Sequence, residues 1–249
     1  MKLERANLAY MDEEFLTSRQ ARPIRILSEY LNPERKLKEL GINHTVVFFG
    51  SARIRPEDAH PLKESYDAAE ELAYRIASWS KTIEDEGKRV YVCTGGGPGI
   101  MEAANKGARR AGEHSIGLNI ALPFEQVPNQ FISPDLNIEF HYFYMRKLWF
   151  LYHSKAIIVF PGGFGTLDEL FETLTLIQTR KIQKPFLPVL LYNRSYWDKL
   201  INFDLMETNG LITPNERSIM RFFESPDEAM EYLVPAISEL TEKYTVKNF

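Results

Sequence analysis

Cysteine is nearly absent. Among 249 residues only Cys93 carries a thiol, so no intramolecular disulfide can form and a reducing compartment is the natural expectation. Long apolar runs are missing as well. None approaches the ~18–20 residues that cross a bilayer, and no membrane partner is expected. Nor is there a basic block. Lys and Arg number 30 against 34 Asp and Glu, for a formal net charge of -4, which lacks the electrostatic footprint of a chain that grips a nucleic acid polymer. The opening Met1-Lys2-Leu3-Glu4-Arg5 leads into mixed charges without the apolar core of a secretory signal, so a cytoplasmic protein is expected. His44, His60, His114, His141 and His153 show no metal-ligand spacing. No metal is expected, and each reads as structural or exposed, with His141 a mild candidate through its position before Arg146.

What is present is an ordinary globular composition, 44% hydrophobic and 26% charged, enough to bury a full core. Residues 1–43 read as an extension of one or two short amphipathic helices. Phe15, Ile24, Ile26, Leu27, Tyr30 and Leu31 sit among charges there, punctuated by Pro23 and Pro33. So short a piece cannot enclose a core alone. From residue 44 to 249 the rhythm turns to alternating strand and helix. Strands are expected at Thr45 to Phe49, Arg89 to Cys93, Ser115 to Ile120, Ala156 to Phe160 and Phe186 to Tyr192. Helices are expected near Glu64 to Glu84, Ile100 to Ala111, Tyr144 to His153, Thr166 to Arg180, Tyr196 to Thr208 and Pro226 to Tyr244. Continuously apolar strands alternating with helices imply an α/β fold, a parallel sheet covered on both faces. Ligands of such sheets bind beyond the carboxyl ends of the strands.

Three of those ends carry small-residue turns: Gly50-Ser51-Ala52-Arg53, Gly95-Gly96-Gly97-Pro98-Gly99 and Pro161-Gly162-Gly163-Phe164-Gly165-Thr166. Glycine lets the backbone approach an anion, and the following helix offers free N–H groups. One such turn could serve a tight connection only, but two rich ones in equivalent positions point to phosphate. Neither ends in the Gly-Lys-Ser/Thr of a P-loop. A dinucleotide pattern starting at Gly95 would need glycine where Ile100 stands, and no acid closes the next strand, which argues against NAD. A mononucleotide fits better, and no cofactor is expected.

Thr166-Leu167-Asp168-Glu169 has the form of a capping box, in which Glu169 would only return a hydrogen bond to the helix start. Alternatively, its carboxylate faces the sugar of a phosphate-anchored ligand, where it can stabilise an oxocarbenium-like state and orient water. Arg146 and Lys147 lie among Phe140, Tyr142, Phe143, Tyr144, Leu148, Trp149 and Phe150. Each is either a surface charge or a paired one, and arginine suits a phosphate or carboxylate. Glu102, just after the triple-glycine turn, is either a favourable acid in a first helical turn or a ligand-facing carboxylate. Met145 and Trp149 are candidates for an apolar base slot. Arg22 and Arg25, set among Pro23, Ile24, Ile26 and Leu27, suit packing on a neighbouring subunit near its phosphate site.

Together these residues resemble the Lonely Guy (LOG) family of cytokinin-activating phosphoribohydrolases, whose signature P-G-G-x-G-T-x-x-E is met in full by Pro161 to Glu169. Arg146 and Lys147 look like its arginine-lysine pair. Gly95 to Glu102, GGGPGIME, resembles the second glycine loop of larger bacterial members. The resemblance covers about residues 45 to 235. It implies a Rossmann-like, doubly wound sheet, a homodimer or larger homo-oligomer, and catalysis by Arg146 and Glu169. It also implies release of free base and ribose 5-phosphate from a nucleoside 5′-monophosphate. The extension is absent from the short cytokinin-producing members, and Met145 adjoins Arg146 where they have M-x-x-R-K. AMP is therefore the expected substrate ahead of cytokinin nucleotides. The rival expectation is a nucleotide or molybdenum-cofactor carrier without turnover. The family's decarboxylase label has no support in chemistry, since nothing marks a pyridoxal phosphate lysine.

Overall fold

A computed structural model describes residues 8–57, 59–123, 127–182 and 187–243. The pentapeptide Met1 to Arg5, Phe186 at the expected strand start and Tyr244 at the expected helix end lie outside them. All strand pairs are parallel. In chain order the strands are β1 (His44–Phe49), β2 (Val90–Thr94), β3 (Ser115–Ile120), β4 (Asn137–Phe140), β5 (Ser154–Val159), β6 (Val189–Tyr192) and β7 (Met220–Phe223). They form one sheet in the order β4-β3-β2-β1-β5-β6-β7. The chain winds outward from β1 in one direction, then returns to β5 and winds outward in the other. The switch point therefore falls between β1 and β5, where a crevice opens above the strand ends. This is the Rossmann-like doubly wound α/β fold.

The helices are α1 (Glu13–Thr17), α2 (Arg22–Glu39), α3 (Glu64–Lys81), α4 (Ile100–Arg110), α5 (Phe143–Tyr152), α6 (Phe164–Gln178), α7 (Arg194–Leu200), α8 (Phe203–Thr208), α9 (Pro214–Arg217) and α10 (Pro226–Lys243). Strand side chains alternate between faces with period two. Val46, Phe48, Val92 and Ile158 point toward Leu72, Ile76, Ala103 and Leu233 of α3, α4 and α10. Val47, Phe49, Cys93 and Ile157 point toward Trp149, Phe150, Leu170 and Leu37 of α5, α6 and α2. Burial on both faces explains why β1, β2 and β5 carry almost no exposed residue. The α3–α4 contact is close because Gly107 has no side chain: a Cβ there would stand 2.1 Å from the Glu70 carbonyl oxygen.

Several expectations need correction. Pro33 does not punctuate the extension but lies inside the continuous α2, while Pro23 occupies its first turn, where a missing N–H leaves nothing unpaired. The helix expected over Tyr196 to Thr208 is two helices. Ile201 is extended, and the Asn202 side chain accepts from Leu205 N at 2.8 Å to start α8. Two strands, β4 and β7, add to the five expected, and both are edges of the sheet.

Candidate active site

At the switch point the turns after β1, β2 and β5 enclose a cleft of about 700 Å³. The turns are tied to one another through backbone. Ser51 N donates to Pro161 O and Ile100 N donates to Ser51 O, each at 3.0 Å. Gly50 lies flat on Ile100; any Cβ there would meet its side chain at 2.6 Å. Of the residues expected at a ligand, Gly50, Ser51, Gly95, Arg146, Gly162, Gly163, Gly165, Thr166 and Glu169 all line this cleft.

Its floor is the start of α6. The helix begins at Phe164 with Gly163 as N-cap, and no side chain among the described residues caps it. The first N–H groups of a helix have no internal partner, so this end presents unpaired donors and a partial positive charge. Positions where Gly163 and Gly165 would carry a Cβ have nothing within 4 Å. Gly162 is different: a Cβ would lie 2.0 Å from Thr166 Oγ1, so glycine is needed for the turn to close on its own helix. Tyr196 Oη donates to the Gly162 carbonyl at 2.7 Å and braces the loop from α7. The capping-box reading of Thr166 and Glu169 fails, because the helix starts two residues earlier and Thr166 lies within it.

Glu169 sits one turn further along α6 and is 7% exposed. Burial pushes its carboxyl up to about 7, against the pull of Lys147 and Arg146. Arg146, reaching over from α5, brings Nη2 to 3.6 Å from Glu169 Oε1. That is an ion pair without a hydrogen bond, and Arg146 Nε has no hydrogen-bond partner among the described residues. The guanidinium rests against the Phe143 and Phe150 rings at 5.3 and 5.5 Å. Burial lowers its pKa, opposed by Glu169 and Asp168, yet a guanidinium stays charged. Both groups therefore keep unspent hydrogen-bonding capacity at the cleft wall.

Lys147 does not line the cleft. Its Nζ lies 2.8 Å from Asp168 Oδ2, 2.6 Å from Glu172 Oε2 and 3.9 Å from Glu169 Oε2. Burial disfavours its charge, but hydrogen bonds to Asp168 and Glu172 prevail and raise its pKa. It anchors the acidic face of α6. The triple-glycine turn contributes only Gly95 to the lining. Gly96 (φ +73) packs against the Asn119 side chain and Gly99 (φ +71) against Ser51 O, while Asn129 Nδ2 holds the Gly96 and Gly97 carbonyls at 3.1 and 3.0 Å. Glu102 also falls outside: its Oε1 accepts from Tyr66 Oη at 3.3 Å, on the α3 side.

Met145 and Trp149, expected beside a base, do not line the cleft either. Both are core residues, 6% and 2% exposed. The apolar wall of the cleft is instead Met101, Ile120, Leu122, Phe143, Phe150 and Phe164. Within the chain, Arg22 stacks 5.6 Å from the Tyr142 ring centroid, and Arg25 Nη1 donates to Leu16 O and Ser18 O at 2.7 and 2.6 Å. Sequence reasoning missed Arg53 and Tyr196 as lining residues. Arg53 had a signal, a cation two residues past Ser51 in a glycine turn. Tyr196 had none, because only the fold carries α7 to the loop.

Among the described residues no helix is long and apolar enough to cross a membrane. A family model described as "Possible lysine decarboxylase" matches residues 101–233, more than half of the chain. Among curated proteins, the cytokinin riboside 5′-monophosphate phosphoribohydrolase LOG1 of Arabidopsis thaliana is 28% identical over 173 residues, covering 67% of this chain and 78% of that one. LOG3 of the same plant is 31% identical over 165 residues, covering 64% and 69%. Among solved structures, a structural-genomics target aligns with a TM-score of 0.50 at 21% identity, over 77% of this chain and 99% of its own. The Moco carrier protein from Chlamydomonas reinhardtii aligns with a TM-score of 0.50 at 18% identity, over 80% and 99%. At such identities these two likenesses speak to the fold alone. The family model, the two phosphoribohydrolases and the complete Pro161–Glu169 signature agree, and the chain belongs to the LOG family of phosphoribohydrolases.

Proposed function

We propose that this chain hydrolyses the N-glycosidic bond of nucleoside 5′-monophosphates, AMP foremost, releasing free base and ribose 5-phosphate. The observation that carries the reading is the Arg146–Glu169 pair, the arginine half-buried and the glutamate buried, 3.6 Å apart in the wall of the cleft whose floor is the uncapped start of α6. The 5′-phosphate rests on the N–H groups at Gly163, Gly165 and Thr166, with open space where the two glycines would carry a Cβ. Arg53, exposed at the cleft, adds charge to the phosphate end. The base lies against the apolar wall that includes Phe143 and Phe150.

In the reaction the C1′–N bond breaks and C1′ becomes cationic. Glu169, ionised in part at neutral pH, stabilises that charge and takes a proton from the attacking water, whose oxygen bonds to C1′. The departing base gains the proton that Glu169 took from water, passed on through solvent, so that one water is consumed for each bond broken. Arg146 orients the carboxylate and offers its unspent donors to the leaving group or ribose. No cofactor enters. Lysine decarboxylation is a poor alternative, because a Schiff-base lysine needs a free amine and Lys147 is held charged among three carboxylates. The reading also treats residues 1–43 as an extension on a catalytic unit of 44–249. It includes a homodimer or larger assembly as well, for which exposed Ile24, Leu27 and Leu31 on one face of α2 speak; light scattering tests the latter.

The test is to incubate the protein with AMP, CMP, GMP, UMP and a cytokinin riboside 5′-monophosphate, and to assay free base and ribose 5-phosphate together. Equimolar release of both from AMP is expected. Tight AMP binding without any release would favour a carrier instead.

A further inference from the structure

The helix that carries Arg146 is held from outside the cleft, by α2. Its N-cap residue, Tyr142, supplies no side-chain cap. In its place the Glu29 carboxylate from α2 accepts from the backbone N–H of His141 at 2.8 Å and of Tyr142 at 3.2 Å. The carbonyl of the same Tyr142 accepts from the backbone N–H of Arg146 at 3.2 Å. One residue thus links the Glu29 carboxylate to the Arg146 backbone through two consecutive hydrogen bonds. A carboxylate just ahead of a helix start also complements the helix dipole.

Glu29 grips α5 a second time through its own carbonyl, which accepts from Trp149 Nε1 at 3.0 Å. That carbonyl is available because the residue four positions on is Pro33, inside α2. Proline has no N–H to return to it. A proline that would ordinarily weaken the helix here frees an acceptor for the partner helix. Tyr30 packs on the Trp149 ring at 5.7 Å, and the Arg22 guanidinium covers the Tyr142 ring at 5.6 Å. Since the Arg146–Glu169 separation is 3.6 Å with no hydrogen bond, its geometry depends on where the backbone of α5 sets the guanidinium. Small displacements of a catalytic group lower the rate steeply.

We infer that Glu29 is a positioning residue for Arg146, acting through Tyr142, and that α2 serves the active site as a brace. This rests on the proposed hydrolase reading. The phosphate floor belongs to α6 and is independent of the brace, so loss of Glu29 touches turnover more than binding.

The experiment measures steady-state kinetics on AMP for wild type, Glu29→Ala, Glu29→Gln, Trp149→Phe and the Glu29→Ala/Trp149→Phe double variant, each as the full chain and with circular dichroism as a folding check. Glu29→Ala is expected to lower kcat about 10- to 100-fold with KM within about threefold, the pattern of a lost transition-state interaction. Glu29→Gln keeps one acceptor oxygen and recovers part of kcat. Trp149→Phe lowers kcat less, and the double variant falls short of the product of the singles, because both act on one joint. Wild-type turnover with Glu29→Ala and Trp149→Phe both within twofold of it in kcat overturns the positioning role alone. Absence of wild-type turnover overturns the hydrolase reading, and the positioning role with it. If Glu29→Ala fails to fold, the Glu29→Gln and Trp149→Phe variants decide: a fall in KM-independent rate supports the brace, and unchanged kcat in both refutes it.

Discussion

Replacing Gly99 with alanine puts the interlock of the glycine turns under direct stress. Gly99 is the N-cap of α4 at φ 71, ψ -131, a conformation that L side chains rarely adopt and whose strain costs about 1–3 kcal/mol. The added Cβ would stand 2.4 Å from Ser51 O and 2.8 Å from Ala52 C. Those atoms are backbone, and Ser51 is tied by its N–H to Pro161 O, so relief requires moving a turn that lines the cleft. Overpacking of this kind adds about 1–3 kcal/mol. A combined loss near 4 kcal/mol lowers Tm by roughly 8–16 °C for a domain of this size. Calorimetric unfolding with an AMP titration by isothermal calorimetry reads both consequences, lower Tm and weaker binding. A Tm within about 3 °C of wild type and an unchanged Kd would refute the interlock.

Glu169 makes stability depend on pH. Its folded-state pKa, about 7, lies above its ordinary 4.5, so the folded chain holds more protons between those values and stability falls as pH rises through that window. At about 1.4 kcal/mol per pH unit, Glu169→Gln should gain about 3 kcal/mol relative to wild type between pH 4.5 and pH 8, read by urea unfolding at both; a constant gap would contradict the assignment. Asn105, fully buried, accepts from Thr94 Oγ1 at 2.7 Å and donates to Ser115 Oγ at 2.6 Å beneath the triple-glycine turn. Asn105→Ala strands those partners and should cost about 3 kcal/mol, measured by denaturant midpoint, with an unchanged midpoint as the adverse result. Cys93 is 2% exposed and burial pushes its thiol well up. A colorimetric thiol reagent should find no reactive thiol in the native chain and one after denaturation, whereas rapid native labelling would place Cys93 wrongly.

Much of the fold was legible because its central strands are buried on both faces. The runs around Val46–Phe49 and Ile157–Val159 are continuously apolar for that reason, and each ends in a glycine turn. The edge strands were not. β4 alternates exposed and buried residues over Asn137–Phe140, too short to separate from a loop by pattern. At the site, the complete signature pointed to Glu169 and the α6 start, and the resemblance to the family's arginine-lysine pair pointed to Arg146; the fold sets all three at one cleft. The sequence pattern could not divide ligand-facing glycines from packing ones: Gly163 faces open space, whereas Gly96 and Gly99 are glycines because Asn119 and Ser51 press on them. Glu102 misled because a helix N-terminus accommodates an acid on any side, and α4 turns this one toward Tyr66. Tyr196 reaches the cleft only through tertiary placement.

The most direct trial of the account is single-turnover hydrolysis of AMP by wild type and Glu169→Gln, with AMP affinity measured on both. The account predicts that the Gln variant binds AMP within about threefold of wild type through the α6 start, while the chemical step slows by about 10²-fold or more. Hydrolysis at the wild-type rate by Glu169→Gln would contradict it.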